Sequence, residues 1–405
     1  MGMKKYSIVL FLILLFYGCA KKEEKIKFWH FWSEPSQAKV IREIVSEFEK
    51  QNNCRVEVSE LSWNDGKTKL IIAFNSRTAP DVLELGSDWI AQFSSAEVLE
   101  PIDTNFLANS NFFDYTLEPA KYKGKLYALP WIIGTRVLFC NQDLMEKCGI
   151  SNPPKTIDEL LRFSKIINES GLGYGFGCNG SDPHRLYKKI LPLIWSFGGE
   201  IQDSNGNIKI NSPQVAKAYR TYFELSRLGI IETQKQIDLL FVQGKIGFCF
   251  SGEWLLELIQ KSPHKFNFAT TLMPGIGNAP GISFAGGEFL AINKNSKNKE
   301  LAKQLIQFLL SEESIKKLIT LIPEAGFPAD KLLLNKTLNN LNQYKRVFAE
   351  QLKHSKMTPV HRRWIEIESI IEKSLVEVLY QKQGVYEALS QAQKEIDLYN
   401  KEIQF

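Results

Sequence analysis

The chain has 405 residues, 44% hydrophobic and 23% charged, values that exclude wholesale disorder and collagen-like repetition and leave room for two or three domains. Fifty Lys and Arg against 45 Asp and Glu give a net charge of +5, spread along the chain without the concentrated basic stripe that nucleic-acid binding requires. Eight Trp, 13 Tyr and 26 Phe form an aromatic supply rich enough to raise the question of what the rings bind.

Met1 to Lys5 is a short positive stretch, and Tyr6 to Tyr17 is apolar but for Ser7. Such a run is too short to cross a hydrocarbon core of about 30 Å as a helix, but it fits the core of a signal peptide. It ends at Gly18-Cys19, and a small residue directly before Cys at that place resembles a bacterial lipobox. The expectation is a lipoprotein signal peptide over 1–18, a lipid on Cys19 and a solvated, charged tether over 19–25. The remaining cysteines are Cys54, Cys140, Cys148, Cys178 and Cys249. None forms a CxxC or a Cys/His cluster, so no structural zinc is expected. Their pairing is open, and most are expected reduced and buried as small hydrophobes.

Lys25 to Trp32 reads as a first strand, and Ser33 is expected to cap a helix whose Ala38, Ile41, Ile44, Val45 and Phe48 follow the 3.6-residue period. Arg55–Val58 is a second strand, Lys67–Asn75 a helix and Ala79–Leu85 a third strand. This alternation predicts a parallel sheet wound right-handedly, with ligands beyond the carboxyl ends of its strands. Those ends carry Trp32, Ser33, Trp63, Asn64, Asp65, Ser87, Asp88 and Trp89. Three tryptophans at three consecutive strand exits exceed what core filling asks for. Past Leu126 the pattern changes: Leu126–Trp131 and Thr135–Cys140 are strand-like, and a helical region from Asp143 to Ile167 is punctuated by Pro153-Pro154. Lys245–Phe250 is another strand, and Gly252-Glu253-Trp254 opens a helix. A glycine-rich stretch, 274–287, leads into the strand Glu288–Ile292 and the helix Lys299–Leu310. The last 50 residues are helical, with Trp364, Ile367, Ile370, Ile371, Leu375 and Val378 on one apolar face.

Catalytic motifs are not matched. There are five histidines and no HExxH, and Gly66-Lys67-Thr68 mimics the end of a P-loop but has Leu61 where the first glycine belongs. Gly171–Gly177 lacks GxGxxG spacing. Ser181, Asp182 and His184 are neighbours in sequence without a GxSxG elbow. No enzyme, cofactor or metal site is expected.

Several fragments in order carry a resemblance. Lys27-Phe28-Trp29-His30, Ala79-Pro80-Asp81-Val82 and Val98–Asp103 come first; Tyr122–Pro130, Phe139–Asp143 and Pro153–Glu159 follow. Phe241–Lys245 with Ser251–Trp254, then Asn293–Lys303 with Phe308–Glu312, complete the set. Together they resemble the family 1 extracellular solute-binding proteins, maltose-binding-protein-like lipoproteins of ABC importers for sugars. The resemblance implies an α/β, two-lobed periplasmic-binding-protein fold (class II), with a ligand cleft between lobes and three hinge crossings. The crossings are expected near Trp131–Arg136, Gly281–Gly286 and Ile322–Phe327, each with a Gly or Pro where φ/ψ must change on closure. The N-terminal lobe is then 25–130 plus 285–321, and the C-terminal lobe 135–281 plus 328–405. The implied function is capture of a mono- or oligosaccharide by lobe closure and delivery to transmembrane permease subunits. The protein is expected to be a monomer outside the cytoplasm, anchored to the membrane by lipid and without nucleic-acid partners. The alternatives are a glycerol phosphate ester or other anionic solute as ligand, or a sensory or adhesive surface lipoprotein that does not transport.

A pyranose offers an apolar C–H face to a ring and a rim of hydroxyls to polar side chains. The candidate ligand-binding residues are therefore Trp32, Trp63, Asp65, Asp88, Trp131, Arg136, Glu253, Trp254, Glu288 and Trp364. Trp131 and Trp254 stand beside motifs that face the cleft in the family. The competing reading of the tryptophans is packing, of Asp65 and Asp88 helix capping, and of Arg136 with Glu288 an ion pair spanning the hinge. Trp29 and Trp195 are assigned to the core.

Overall fold

The computed structural model describes residues 24–401 except 64, 104, 105, 107–109, 183, 184 and 204. The expected signal peptide, Cys19 and most of the tether therefore lie outside the described residues, as do Asn64 and His184. The described strands are β1 (Glu24–His30), β2 (Cys54–Glu60), β3 (Val82–Gly86), β4 (Lys121–Tyr122), β5 (Lys125–Leu126), β6 (Ala128–Gly134), β7 (Val137–Asn141), β8 (Tyr174–Asn179), β9 (Gly229–Glu232), β10 (Ile246–Ser251), β11 (Phe268–Thr271), β12 (Ser283–Phe284), β13 (Gly286–Ile292), β14 (Phe327–Pro328) and β15 (Ser355–Lys356).

Two sheets organise the chain into two lobes. The first has the order β14-β6-β13-β3-β1-β2 and the second β11-β7-β10-β8-β9. In the first, β1 runs parallel to β2 and β3, as the strand–helix alternation predicts, while β13 returns antiparallel between β3 and β6. All five residues of β3 are buried, as expected of a central strand covered on both faces. The helix Pro35–Asn52 buries Ala38, Ile41, Ile44, Val45 and Phe48 on one face, the periodicity read from sequence. Its start is corrected, however. Glu34 occupies the N-cap without a side-chain cap bond and Pro35 begins the helix, so Ser33 does not cap it. Proline supplies the needed φ there and lacks the N–H that a cap would satisfy.

The chain passes from the first sheet to the second between β6 and β7, and returns between β11 and β13. The expected third crossing near 322–327 is displaced. Phe327–Pro328 pairs with Ile133 and Ile132 inside the first sheet, and the helix Lys331–Thr337 packs on β14. The next helix, Gln343–Leu352, packs on β11 and β7, so passage to the second lobe falls between residues 337 and 343. At the hinge, buried Thr135 accepts or donates to Ser355 Oγ at 2.9 Å and donates to Phe284 O at 3.1 Å, while β12 pairs with β15. Three separate chain segments are thereby tied at one point.

Two apolar clusters fill the interior: one, centred on Phe28, Ile41, Leu83 and Phe289, runs on through Phe139, Phe241 and Ile246 onto one face of the second sheet, and the other, with Phe176, Ile190, Tyr219 and Trp364, lies on that sheet's opposite face. Cys54, Cys140, Cys178 and Cys249 are buried, Cys148 is half-buried, and none of the five forms a disulfide. No helix among the described residues is long and apolar enough to cross a membrane.

Candidate functional site

At the first lobe's edge, the exits of β1, β2 and β3 converge with the start of antiparallel β13. Phe31 stacks on Trp63 with centroids 4.3 Å apart, and Trp89 meets each of these rings at 5.4 Å. Trp63 is 43% exposed and presents open ring surface at the rim. Glu288 stands opposite Gly86, and burial pushes its carboxyl up to about 7. Beneath it, fully buried Glu84 is also raised well above the carboxylate range, by burial and then by the charge of Glu288, while accepting the Phe31 N–H at 3.0 Å.

The second lobe contributes the starts of β7 and of the helix Tyr187–Ser196, and the exit of β10. Arg136 immediately precedes β7; its N–H donates to Ser283 Oγ (3.3 Å) and its carbonyl accepts from the same hydroxyl (2.7 Å). Its guanidinium lies 5.1 Å from the Trp254 ring centroid and 5.2 Å from that of Phe284. Half-buried Trp254 donates its indole N–H to Asp238 Oδ2 at 2.7 Å. Asp238, 2% exposed, also accepts from Ser251 (2.8 Å) and Gln234 (2.8 Å), so the ring is held at its edge by a buried carboxylate with further donors. On the other side, a Cβ added at Gly252 would fall 2.0 Å from Trp254 Cζ3, which makes glycine obligatory in Ser251-Gly252-Glu253-Trp254 while the indole keeps this place.

Glu253 is buried, with Lys345 at 3.9 Å as its nearest cation and neither carboxylate oxygen hydrogen-bonded. Burial pushes it up to about 8, so the neutral acid, a donor as well as an acceptor, prevails at pH 7. The two lobes touch where the Tyr187 hydroxyl donates to Asp88 Oδ2 at 3.3 Å.

Six of the ten candidates are therefore placed around this junction or on its rim: Trp63, Asp88, Arg136, Glu253, Trp254 and Glu288. Four are not. Trp32 is buried in the first core, its ring against Trp131. Trp131 is 1% exposed, donates its indole N–H to Leu309 O at 3.2 Å and meets Trp32 edge-on at 6.3 Å. It lines a cavity of about 640 Å³ whose other walls, including Phe112, Leu310, Ile315 and Leu333, belong to the first lobe alone. Alternation along β6 places it with Leu129 and Ile133, a packing face. Trp364 is likewise 1% exposed, edge-on to Tyr187 at 5.7 Å in the second core. Asp65 is exposed and bound locally by Ser62 (2.6 Å) and Lys69 (2.9 Å), contacts that hold its carboxyl below the usual range; it gives no side-chain cap to the helix Gly66–Asn75. Sequence reasoning missed Asp238, Tyr187, Lys188 and Phe284. Asp238 had a signal, an isolated carboxylate between Ile237 and Leu240 in an otherwise buried stripe; the others had none.

The indole N–H groups of Trp32 and Trp364 are buried without an acceptor among the described residues. No group of three or more His, Cys, Asp and Glu among those residues is placed to hold a metal ion.

Comparison with known proteins gives the family and the fold. A putative binding protein of Brucella abortus is 26% identical over 347 residues, covering 82% of this chain and 83% of that protein. The galactooligosaccharide-binding protein of Bacillus subtilis is 27% identical over 379 residues, 89% of this chain and 86% of its own length. Among solved structures, an ABC transporter solute-binding protein from Thermotoga lettingae, bound with α-D-tagatose, superposes with a TM-score of 0.81 at 22% identity, covering 92% of this chain and 99% of that one. Its two-lobed fold is the fold of this chain. Residues 32–316 match the bacterial extracellular solute-binding proteins, and with that span well over half its length the chain belongs to that family.

Proposed function

We propose that this protein captures a carbohydrate, a mono- or oligosaccharide, between its lobes and delivers it to the permease subunits of an ATP-driven importer. The observation that carries the reading is the meeting, at the lobe junction, of ring side chains with hydrogen-bonding ones: Trp254, Phe284 and Trp63 beside Arg136, Asp88, Glu253 and Glu288. Rings cover the apolar face of a sugar and the polar groups its rim. Membership of a solute-binding family and likeness to a galactooligosaccharide-binding protein support it. A ligand that touches both lobes stabilises the closed arrangement only through contacts the open one lacks, which makes transport signalling a population shift.

The test is thermal and denaturant unfolding with mono- and oligosaccharides, galactooligosaccharides included. A ligand at about 100 times its dissociation constant is expected to add roughly 2.7 kcal/mol of apparent stability. No stabilisation by any sugar, against stabilisation by amino acids or peptides, rejects the reading.

The same proposal holds the mature protein at the outer side of the membrane, as a monomer, through lipid on Cys19, because Gly18-Cys19 closes a short apolar run. Cys19→Ser is expected to move the protein from the membrane fraction to the soluble one. Retention of the processed Cys19→Ser protein in salt-washed membranes rejects lipid anchoring.

A further inference from the structure

Two cations at the lobe junction close no ion pair with any described residue. The Arg136 guanidinium forms ring contacts with Trp254 and Phe284, and no hydrogen bond or ion pair to any described residue. The Lys188 ammonium lies 5.5 Å from the same Phe284 ring and 5.3 Å from Tyr187, and is likewise unpaired among those residues. The contrast is with adjacent Lys189, whose ammonium is satisfied by Phe250 O at 2.8 Å. One ring is thus bracketed by two half-buried positive groups, an arrangement that is uphill without a counter-charge. Burial pulls the Lys188 ammonium below the usual lysine range; Asp88 and Glu368 oppose that pull, and the charges of Arg136 and Arg185 add to it.

The nearby carboxylates act on these cations through space, Asp88 and Glu368 on Lys188 and Glu288 and Glu253 on Arg136, without closing an ion pair among the described residues. Asp88 accepts the Tyr187 hydroxyl, and neither it nor Glu253 or Glu288 comes within ion-pair distance of Arg136 or Lys188. Burial biases Glu253 and Glu288 towards their neutral forms near pH 7. The backbone of Arg136 is bonded on both sides by Ser283, and its guanidinium lies beside two rings, with its N–H fork not taken up by any described residue. A planar fork of that kind matches the paired oxygens of a carboxylate or phosphate.

We propose that the ligand is an acidic carbohydrate, whose anionic oxygen group, a uronate carboxylate or an ester phosphate, seats on Arg136 and Lys188. This rests on the carbohydrate reading above and narrows it to a substrate class. Trp254 and Phe284 then serve as walls that orient the guanidinium, in addition to whatever sugar face they cover.

Calorimetric titration of the mature protein against galacturonate and glucuronate oligomers, the corresponding neutral oligomers, and glucose and galactose 6-phosphates tests it. The expected result is binding of one acidic set at least tenfold tighter than its neutral counterpart, a preference that weakens with added salt. Arg136→Ala is expected to erase the preference, and Lys188→Met to reduce it while the fold is retained; Arg136→Lys, which keeps charge but not the fork, guards against a folding failure and is expected to retain only part of it. The uronate and phosphate arms identify which anionic group is taken. A neutral sugar that binds as well as the acidic ones, or an acidic preference that survives both Arg136→Ala and Lys188→Met, overturns this proposal and leaves the carbohydrate reading standing. Binding of no sugar of either kind overturns both.

Discussion

Trp364→Ala is expected to lower the unfolding free energy by about 3 kcal/mol, near the lower end of the usual range for emptying a large buried aromatic site. The ring is 1% exposed at the start of the helix Trp364–Leu379 and packs edge-on against Tyr187. Removing it deletes that contact and opens a cavity between this helix and the one beginning at Tyr187. The loss is held to the lower end because the indole N–H has no acceptor among the described residues, and an unpaired buried donor costs about 1–3 kcal/mol. Trp364→Phe removes the orphaned donor while keeping most of the ring, so it is expected to cost clearly less than the alanine variant. Denaturant unfolding measures both. The reading fails if Trp364→Ala unfolds within about 1 kcal/mol of the parent while losing ligand affinity, for the ring would then serve the ligand rather than the core.

That outcome bears on what could be read from the sequence. Local periodicity was sufficient for the helix Pro35–Asn52, for the parallel trio β1, β2 and β3, and for the clustering of Trp63 and Trp89 at the strand exits. The antiparallel insertion of β13 was not legible, because its partners Leu85 and Leu129 lie more than 150 residues away and nothing in Gly286–Ile292 states direction. The same limit applies to side-chain facing. Trp131 and Trp254 look alike in sequence, each an indole beside a family motif. Trp131 falls on the packing face of a central strand, whereas Trp254 begins a helix past the end of β10, where part of its surface stays open. The third crossing was misplaced for a related reason: Pro323, Gly326 and Pro328 signal a bend, and the bend is there, but the pair Phe327–Pro328 uses it to enter the first sheet rather than to leave it.

Trp254→Ala is expected to weaken ligand binding at least tenfold, within the range of about 1–3 kcal/mol that a large ring contributes on burial, while the protein stays folded. Three contacts converge on this one indole: its N–H on Asp238, its benzo ring against Gly252, and the Arg136 guanidinium over it. Truncation frees Arg136 from one of its two ring walls and removes one donor from Asp238. Ser251 and Gln234 still satisfy that carboxylate, so it is not left bare in the interior. The stability loss is therefore expected to stay under about 3 kcal/mol, less than a fully buried tryptophan would cost. Trp254→Phe separates the two roles. It keeps a ring beneath the guanidinium but cannot donate to Asp238, so it should recover most of the affinity if the ring face matters and little if the anchored orientation matters. Calorimetric titration with whichever sugar stabilises the parent, run beside denaturant unfolding of both variants, reads the two quantities separately. Unchanged affinity with a collapsed unfolding midpoint would remove Trp254 from the site and, because Arg136 leans on the same ring, would weaken the case for the guanidinium as a fixed anion receptor.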